Sequence, residues 1–334
     1  MSLRERVIEL LSGLEGKYIP QSYIHRALGA SKSRVSEILR ELELEGLIER
    51  HSLGRVNIVH VKPGAFKRVI KATKSRTLRL GLVYSSEYTF LGFLVKSLER
   101  KGVAVDVVVF RDGFYASRQL AEGIIDLVFS PLVSQVYLYP AYRTYKVIGS
   151  GVKGGFRVLY KPGSSVVYSS VISTMDYVRY QLLRKGLIDT SRTHYYRSPS
   201  ELISVSRRGG YVITWHPVYL RLQEHGYTAV AVHEELDVDF CCTLAALSSL
   251  GDTLLDLVQN ALESALEKYK KKPDAVLDYY SSVTGIDTST LRSALSEYTV
   301  AESLDKKHVD HVLETLVPAL PDKSAYDGIL YSGY

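Results

Sequence analysis

What the chain lacks narrows its class before any motif is read. Its 334 residues include two cysteines, Cys241 and Cys242, and they are adjacent. The geometry of a disulfide is demanding for immediate neighbours, so there is no disulfide framework, which fits a reducing compartment. No Cys or His spacing spells a metal cluster, and no metal is expected. No run approaches the ~18 consecutive apolar residues of a membrane span. The N-terminus MSLRERVIELLSG carries Glu5 and Glu9 where a secretory leader needs a continuous apolar core. A cytoplasmic location with no membrane partner is therefore expected. No G-x-S-x-G elbow, P-loop or G-x-G-x-x-G fingerprint occurs. Catalysis thus finds little support, and no cofactor is expected. There is a single tryptophan against 25 tyrosines; tyrosine combines apolar area with a polar tip and suits the lining of a polar cleft.

What is present is unevenly placed. Hydrophobic residues make up 46% of the chain and no long block of one charge sign occurs, which excludes a disordered chain. The length suggests two domains. Residues 1–76 hold fifteen Lys and Arg against eight Glu and no Asp, a net of +7, whereas the remaining 258 residues sum to −1. Such asymmetry points the first quarter toward a polyanion, although small basic segments also arise for solubility alone.

Within that quarter Leu3, Val7, Leu10, Leu11 and Leu14 recur at helical spacing, and Gly13 and Gly16 help to end the helix. Pro20 suits the first turn of a second helix with Ile24 and Leu28 inward. Gly29-Ala30 turns the chain, and Ser31 is placed to cap a third helix. In that helix Val35, Ile38, Leu39 and Leu42 form the buried stripe. Strands are expected over Gly46–His51 and Arg55–Val61, with Ser52-Leu53-Gly54 between them. The stretch PQSYIHRALGASKSRVSEILRELELEGLIERHSLGRVNIVHV resembles the winged helix–turn–helix of bacterial and archaeal transcription regulators, and the resemblance covers residues 1–62. It implies double-stranded DNA as a partner, with the start of the third helix in the major groove. Lys32, Arg34 and Arg40 would then reach phosphates or guanine edges, and Ser31, Ser33 and Ser36 would make shorter contacts. His51 and Arg55 would sit at the wing tip. The competing reading is a winged helix that binds protein, its charges merely solvated. Residues 63–76 form a basic linker, as helix or as tether.

From Thr77 the pattern changes to strands alternating with helices. Strands are expected at Thr77–Tyr84, Val103–Phe110, Ile124–Phe129, Val166–Tyr168, Thr193–Tyr196, Gly210–Thr214 and Thr228–Val232. Helices are expected at Phe90–Arg100, Tyr115–Glu122, Met175–Lys185, Ser200–Ser206 and Pro217–His225. Near-continuous apolar strands alternating with helices imply a parallel sheet flanked by helices. Phe240–Ser248 is apolar again, and the chain is mainly helical from Gly251 to about Leu316. The segments RQLAEGIIDLVFSP (118–131), VVYSSVISTMDYVRYQLLRKGLI (166–188), GGYVITWHPVYLRLQEHG (209–226) and LESALEKYKKKPDAVLDYYSSVTGIDTSTLRSALSEY (262–298) carry a resemblance. In their order and spacing they are similar to the type II periplasmic solute-binding fold, in its nitrate/sulfonate/taurine- and thiamine-precursor-binding branch. The expected fold class is therefore α/β. An N-terminal winged helix (α+β) precedes a two-lobed periplasmic-binding-protein-like type II domain (77–334) with a helical C-terminus, the second lobe spanning about 164–235.

Ligands of open α/β sheets bind beyond the carboxyl ends of the strands. That rule selects Ser85-Ser86-Glu87-Tyr88 after the first strand, Ser130 and Pro131 after the third, Ser169-Ser170 and then Ser173 and Thr174 at a helix start, and Trp215 and His216 after a later strand; of these Ser85, Ser86, Tyr88, Ser130, Ser173, Thr174, Trp215 and His216 are taken as the site. Hydroxyls and free N–H groups at a helix start suit an anion, as the resemblance also implies for the Ser-Thr pair; ordinary N-capping accounts for them equally. Trp215 would stack on a ligand or serve the core. His216 would sense pH or bind a carboxylate, or else sit at the surface. Arg111, at another strand end, would pair with an anion or, by the reading preferred, form a surface ion pair, and Cys241-Cys242 reads as core packing. The expectation is a homodimeric one-component transcription regulator that senses a small acidic or heteroaromatic metabolite. The alternatives are a precursor synthase of the thiamine pathway with a regulatory head, and a protein-binding module.

Overall fold

The computed structural model describes residues 3–54, 56–63, 76–189, 192–232, 235–236, 238, 240–301, 304–316 and 323–331. Arg55 and residues 64–75 of the basic linker lie outside the described residues. The chain divides into two compact units, Met1–Arg76 and Thr77–Tyr334.

The first unit has helices α1 (Leu3–Ser12), α2 (Gln21–Ala27) and α3 (Lys32–Leu44), with strands β1 (Tyr18–Pro20), β2 (Ile48–Leu53) and β3 (Val56–Val61). The strands form an antiparallel sheet in the order β1-β3-β2. Its core joins one face of each helix to the sheet. Val7 and Leu11 of α1, Ile24 of α2, Val35, Leu39 and Leu42 of α3, and Val59 and Val61 of β3 are fully buried. Burying each such side chain is worth about 2 kcal/mol. Ser31 caps α3 by accepting from the Arg34 N–H at 3.4 Å. At the other end Leu47 N bonds Leu42 O and Gly46 N bonds Glu43 O. This double closure needs a left-handed residue, and Gly46 has φ +74°.

Two local expectations are corrected. Pro20 is not inside the second helix; it ends β1 and forms the N-cap of α2, because β1 pairs with β3 through Pro20. The hairpin is tighter than Ser52-Leu53-Gly54, since the ladder runs to Leu53↔Val56.

The second unit is built on two five-stranded sheets. The first contains β4 (Arg76–Val83), β5 (Val103–Phe110), β6 (Leu127–Pro131), β7 (Tyr145–Ser150) and β14 (Cys242–Leu247) in the order β5-β4-β6-β14-β7. β4 and β6 are parallel, and β14 runs antiparallel between β6 and β7. Every residue of β6 and of β14 is buried, the pattern of strands covered on both faces. Helices α4 (Leu91–Glu99), α5 (Gly113–Ala121), α6 (Leu132–Tyr142) and α10 (Asp252–Lys271) pack with it. The second sheet has the order β11-β10-β12-β9-β13. Its strands are β9 (Phe156–Lys161), β10 (Val166–Ser170), β11 (Arg192–Tyr196), β12 (Gly210–Trp215) and β13 (Thr228–Ala229). Helices α7 (Thr174–Arg184), α8 (Pro199–Val205) and α9 (Val218–Glu224) lie between its strands in sequence. Because β9 pairs with β12 along its length, the second lobe begins before residue 164. Thr228–Val232 yields only the two-residue β13.

The chain passes from the first sheet to the second through β8 (Val152–Gly154) and returns ahead of β14. β8 pairs with β15 (Tyr298–Val300), which interrupts the C-terminal helices α11 (Leu277–Thr284), α12 (Thr288–Ala294) and α13 (Lys306–Leu316).

Candidate functional site

The carboxyl ends of β4, β10 and β12 converge on a cleft between the two sheets of the second unit. Ser85, Tyr88, Ser173, Thr174 and Trp215 all line it. The cleft, which is open to solvent, holds about 40 Å³ that admits the centre of a water molecule. A water needs roughly 10–15 Å³ by that measure, so the lobes are drawn close around a space for a few small atoms.

Each side chain is held by a specific partner. Trp215 donates from Nε1 to Tyr84 O at 2.7 Å, so its indole joins the two lobes beside the cleft that it lines. Ser85 lies between Tyr298, whose hydroxyl is 3.3 Å away, and His216 O at 3.4 Å. Ser173 is the N-cap of α7 and accepts from Met175 N and Asp176 N. Its hydroxyl also donates to Ser170 O at 2.8 Å. The Thr174 hydroxyl donates to Cys241 O at 2.8 Å. Both hydroxyls of the Ser-Thr pair thus serve capping and closure of the fold, and the polar reach toward the cleft mouth comes from elsewhere. Arg111 and Arg197 line the same cleft, and among the described residues neither guanidinium has an ion-pair partner. Arg111 is therefore not the surface ion pair its sequence position suggested.

Three expected site residues do not line the cleft. Ser130 is fully buried and accepts from Ser117 Oγ at 2.8 Å and Gln135 Nε2 at 2.9 Å. Alternation along β6 turns it away and leaves Pro131 at the wall. Ser86 and His216 pair instead with each other, Oγ to Nδ1 at 2.8 Å, while Ser86 N bonds His216 O at 3.1 Å. His216 is 1% exposed, which corrects the surface reading. Together these bonds fasten the loop after β4 to the loop after β12.

That fastening is sensitive to pH. Burial lowers the pKa of His216 below its usual value, with the nearby Arg157 acting in the same sense and Glu297 opposing both. A histidine depressed in the folded state leaves the unfolded chain to take up the proton first. Stability is unaffected above the unfolded value of about 6.5 and is lost as pH falls below it. We expect the urea midpoint of the wild-type chain to fall between about pH 7.5 and about pH 5.5. The fall should be visibly shallower in His216→Asn, whose amide keeps one bond to Ser86 but cannot titrate. Parallel slopes in the two proteins would dismiss His216 as the titrating group.

Sequence reasoning selected Glu87 at a strand end but read the cysteines as core packing, and so did not join the three in the cleft. Glu87, Cys241 and Cys242 line it and are 2%, 8% and 3% exposed. Cys242 N donates to Glu87 Oε1 at 3.1 Å, and the Cys242 thiol points to Cys241 Sγ at 3.9 Å. Burial pushes the Glu87 carboxyl well above the usual carboxylate range, with the Cys241 charge adding to it. Burial likewise pushes the Cys242 thiol up. The hydrogen bond from Cys242 holds Cys241 below the ordinary thiol value. Glu87 is separated from the cysteines by about half the chain, so no spacing rule joins them.

In the first unit Ser31, Lys32, Ser33, Arg34 and Arg40 are exposed and Ser36 is half-buried. Among the described residues no ion pair engages Lys32, Arg34 or Arg40. Other basic groups are engaged: Arg4 with Glu45, Arg50 with Glu43, and Lys62 with Glu49. His51, expected at the tip, is exposed with its Nε2 3.8 Å from Glu49.

Comparison with known proteins bears on most of the chain. The chain is similar to the periplasmic aliphatic sulphonate binding protein SsuA from Escherichia coli, at 14% identity and TM-score 0.59, over 72% of this chain and 85% of that one. It is similar to the alkanesulfonate-binding protein SsuA from Xanthomonas axonopodis pv. citri, bound to MOPS, at 15% identity and TM-score 0.60, over 72% and 90%. A third is the conserved Candida albicans CA3427 gene product, a protein of the generic periplasmic binding protein fold, at 11% identity and TM-score 0.59, over 76% and 96%. Most of the chain has a periplasmic-binding-protein-like fold. Residues 1–62 match the model of a Domain of unknown function (DUF7343). No curated protein matches the chain. No helix among the described residues is long and apolar enough to cross a membrane.

Proposed function

We propose that the chain is a one-component transcription regulator, in which a winged helix in residues 1–62 binds double-stranded DNA and the cleft of residues 77–334 senses a small metabolite. One observation carries the reading. A compact helix–hairpin unit exposes Lys32, Arg34 and Arg40 on α3 without ion-pair partners among the described residues, in the same chain as a solute-binding fold. Cationic side chains left unpaired on the third of three helices suit phosphate contact. The two guanidinium groups of the cleft without ion-pair partners among the described residues, with Trp215 and Tyr196 in the same lining, suit a small acidic or heteroaromatic metabolite. The regulator works in the cytoplasm as a homodimer, since one module reads only a short half-site. Ligand alters operator affinity to the extent that it binds the DNA-competent and incompetent states unequally.

Anisotropy titration of the full chain against a labelled duplex from its own upstream region tests the DNA half. Affinity should fall steeply between about 50 and about 200 mM salt. Binding that is absent at low salt, or indifferent to it, would overturn the reading. Trp215 fluorescence tests the sensing half: metabolite fractions that change DNA affinity should also change its emission.

A further inference from the structure

We propose that the inner end of the cleft is a binding site for a thiophilic divalent cation of the zinc class, held by Glu87, Cys241 and Cys242. The donor atoms of these three side chains all lie within 4.8 Å of one another. They come from the loop after β4 and the start of β14, brought together across 155 residues of sequence and joined by the bond from Cys242 N to Glu87. The two sulfurs are 3.9 Å apart. A tetrahedral metal with bonds of ~2.3 Å to two sulfurs separates them by about 3.8 Å, so the thiols stand at the separation such an ion needs.

The surroundings ask for a cation. Among the described residues no Lys, Arg or His forms an ion pair with Glu87, so nothing there balances its ionised form, and a metal is the partner that a buried carboxylate otherwise takes. Two sulfur donors favour soft or borderline ions over Mg²⁺ and Ca²⁺. A fourth group stands beside the three ligands. Tyr88, 1% exposed, lines the same cleft, and its buried hydroxyl has no oxygen or nitrogen partner and stands only against the Cys242 thiol. A buried hydroxyl left unpaired is costly; a water or ligand oxygen on the ion would pair with it. Three protein donors leave a fourth position open, as in zinc sites that take a water or small ligand. All three donors line the cleft, so that position opens into it and the ion becomes the inner anchor of whatever the cleft receives. The site stands on the cleft geometry alone: a chain that binds metal but no DNA leaves it intact, and the converse result leaves the DNA reading intact.

Cobalt alone is the probe. The full-length chain, reduced and stripped with chelator, should take up one Co²⁺ with a sulfur-to-cobalt charge-transfer band in the near ultraviolet, displaced by one equivalent of Zn²⁺. Cys241→Ser and Cys242→Ser should each lose about half of that band, one of two thiolates remaining. Glu87→Gln should keep the band and weaken Zn²⁺ binding on the order of 100-fold. If a serine variant fails to fold by far-ultraviolet circular dichroism, alkylation of the wild-type thiols decides, and Zn²⁺ should slow it more than about tenfold. Absence of the band, a band that survives the double serine variant, or thiols already oxidised to a Cys241–Cys242 disulfide in freshly prepared protein would each overturn the site.

Discussion

Replacing Gly155 by alanine is expected to cost the second unit about 3–5 kcal/mol, a third or more of the stability of an ordinary domain. Gly155 stands between β8 and β9, where the chain passes from one sheet to the other. Its φ is +70°, a conformation that costs a side chain energy, and a Cβ there would lie 2.0 Å from Cε1 and 2.1 Å from Cζ of Tyr298. That ring cannot retreat easily, because Tyr298 is 5% exposed and its hydroxyl reaches Ser85. The Gly155 backbone is also engaged on both sides, N to Glu297 O at 3.0 Å and O from His216 N at 2.8 Å. Shifting it therefore disturbs the loop after β12 and the entry to β15. Gly102→Ala separates the two contributions. Gly102 has φ +79° with nothing within 4 Å of its Cβ position, so that variant should lose only about 1 kcal/mol. Urea unfolding of both variants measures the difference. Equal losses would mean that the close approach to Tyr298 is not what fixes glycine at 155.

What was legible in the sequence follows from how local each signal is. The third helix of the first unit, its Ser31 cap and its buried stripe were readable because they depend on neighbours a turn apart. The strand–helix alternation from Thr77 was readable for the same reason, and it led to the solute-binding fold. The run from Leu132 to Lys161 was not. α6 reads LVSQVYLYPAY, with Leu132, Val133, Val136, Leu138 and Tyr139 all buried, so no polar face marks its period. Gly151 and Gly154-Gly155 then break the crossover into the short strands β7, β8 and β9, which look like loop. Gln135 went unnoticed as well. It is fully buried and bonds Ser130, Thr243 and their backbone carbonyls, all supplied by other elements. The cleft was legible at its strand ends, in Ser85, Tyr88, Thr174 and Trp215. Its inner end was not, since an adjacent cysteine pair in an apolar stretch looks like packing until Glu87 is placed against it. His216 shows the reverse error: the strand-end rule located it correctly, but alternation and the bond to Ser86 turn it from ligand to latch.

Neutralising Lys32, Arg34 and Arg40 together should weaken DNA binding about a thousandfold at 50 mM salt and lower the salt slope by about 3. Each of these groups is exposed, and none is in an ion pair among the described residues. Each is thus available to displace one counterion from a phosphate, and the slope counts such displacements. Stability supplies the control, because exposed side chains without partners change it by no more than about 0.5 kcal/mol when truncated. Arg50→Ala supplies a second. Its guanidinium bonds Glu43 at 2.8 Å and is half-buried, so it has no free charge to offer DNA. Removing it should leave the slope nearly unchanged, despite altering the net charge by one unit. If the loss of affinity instead tracked net charge, with Arg50→Ala costing about a third of the triple variant's slope, the contact would be a diffuse attraction of the basic first quarter. A slope carried by the three α3 residues places the phosphate contacts on that helix, where a winged helix would present them.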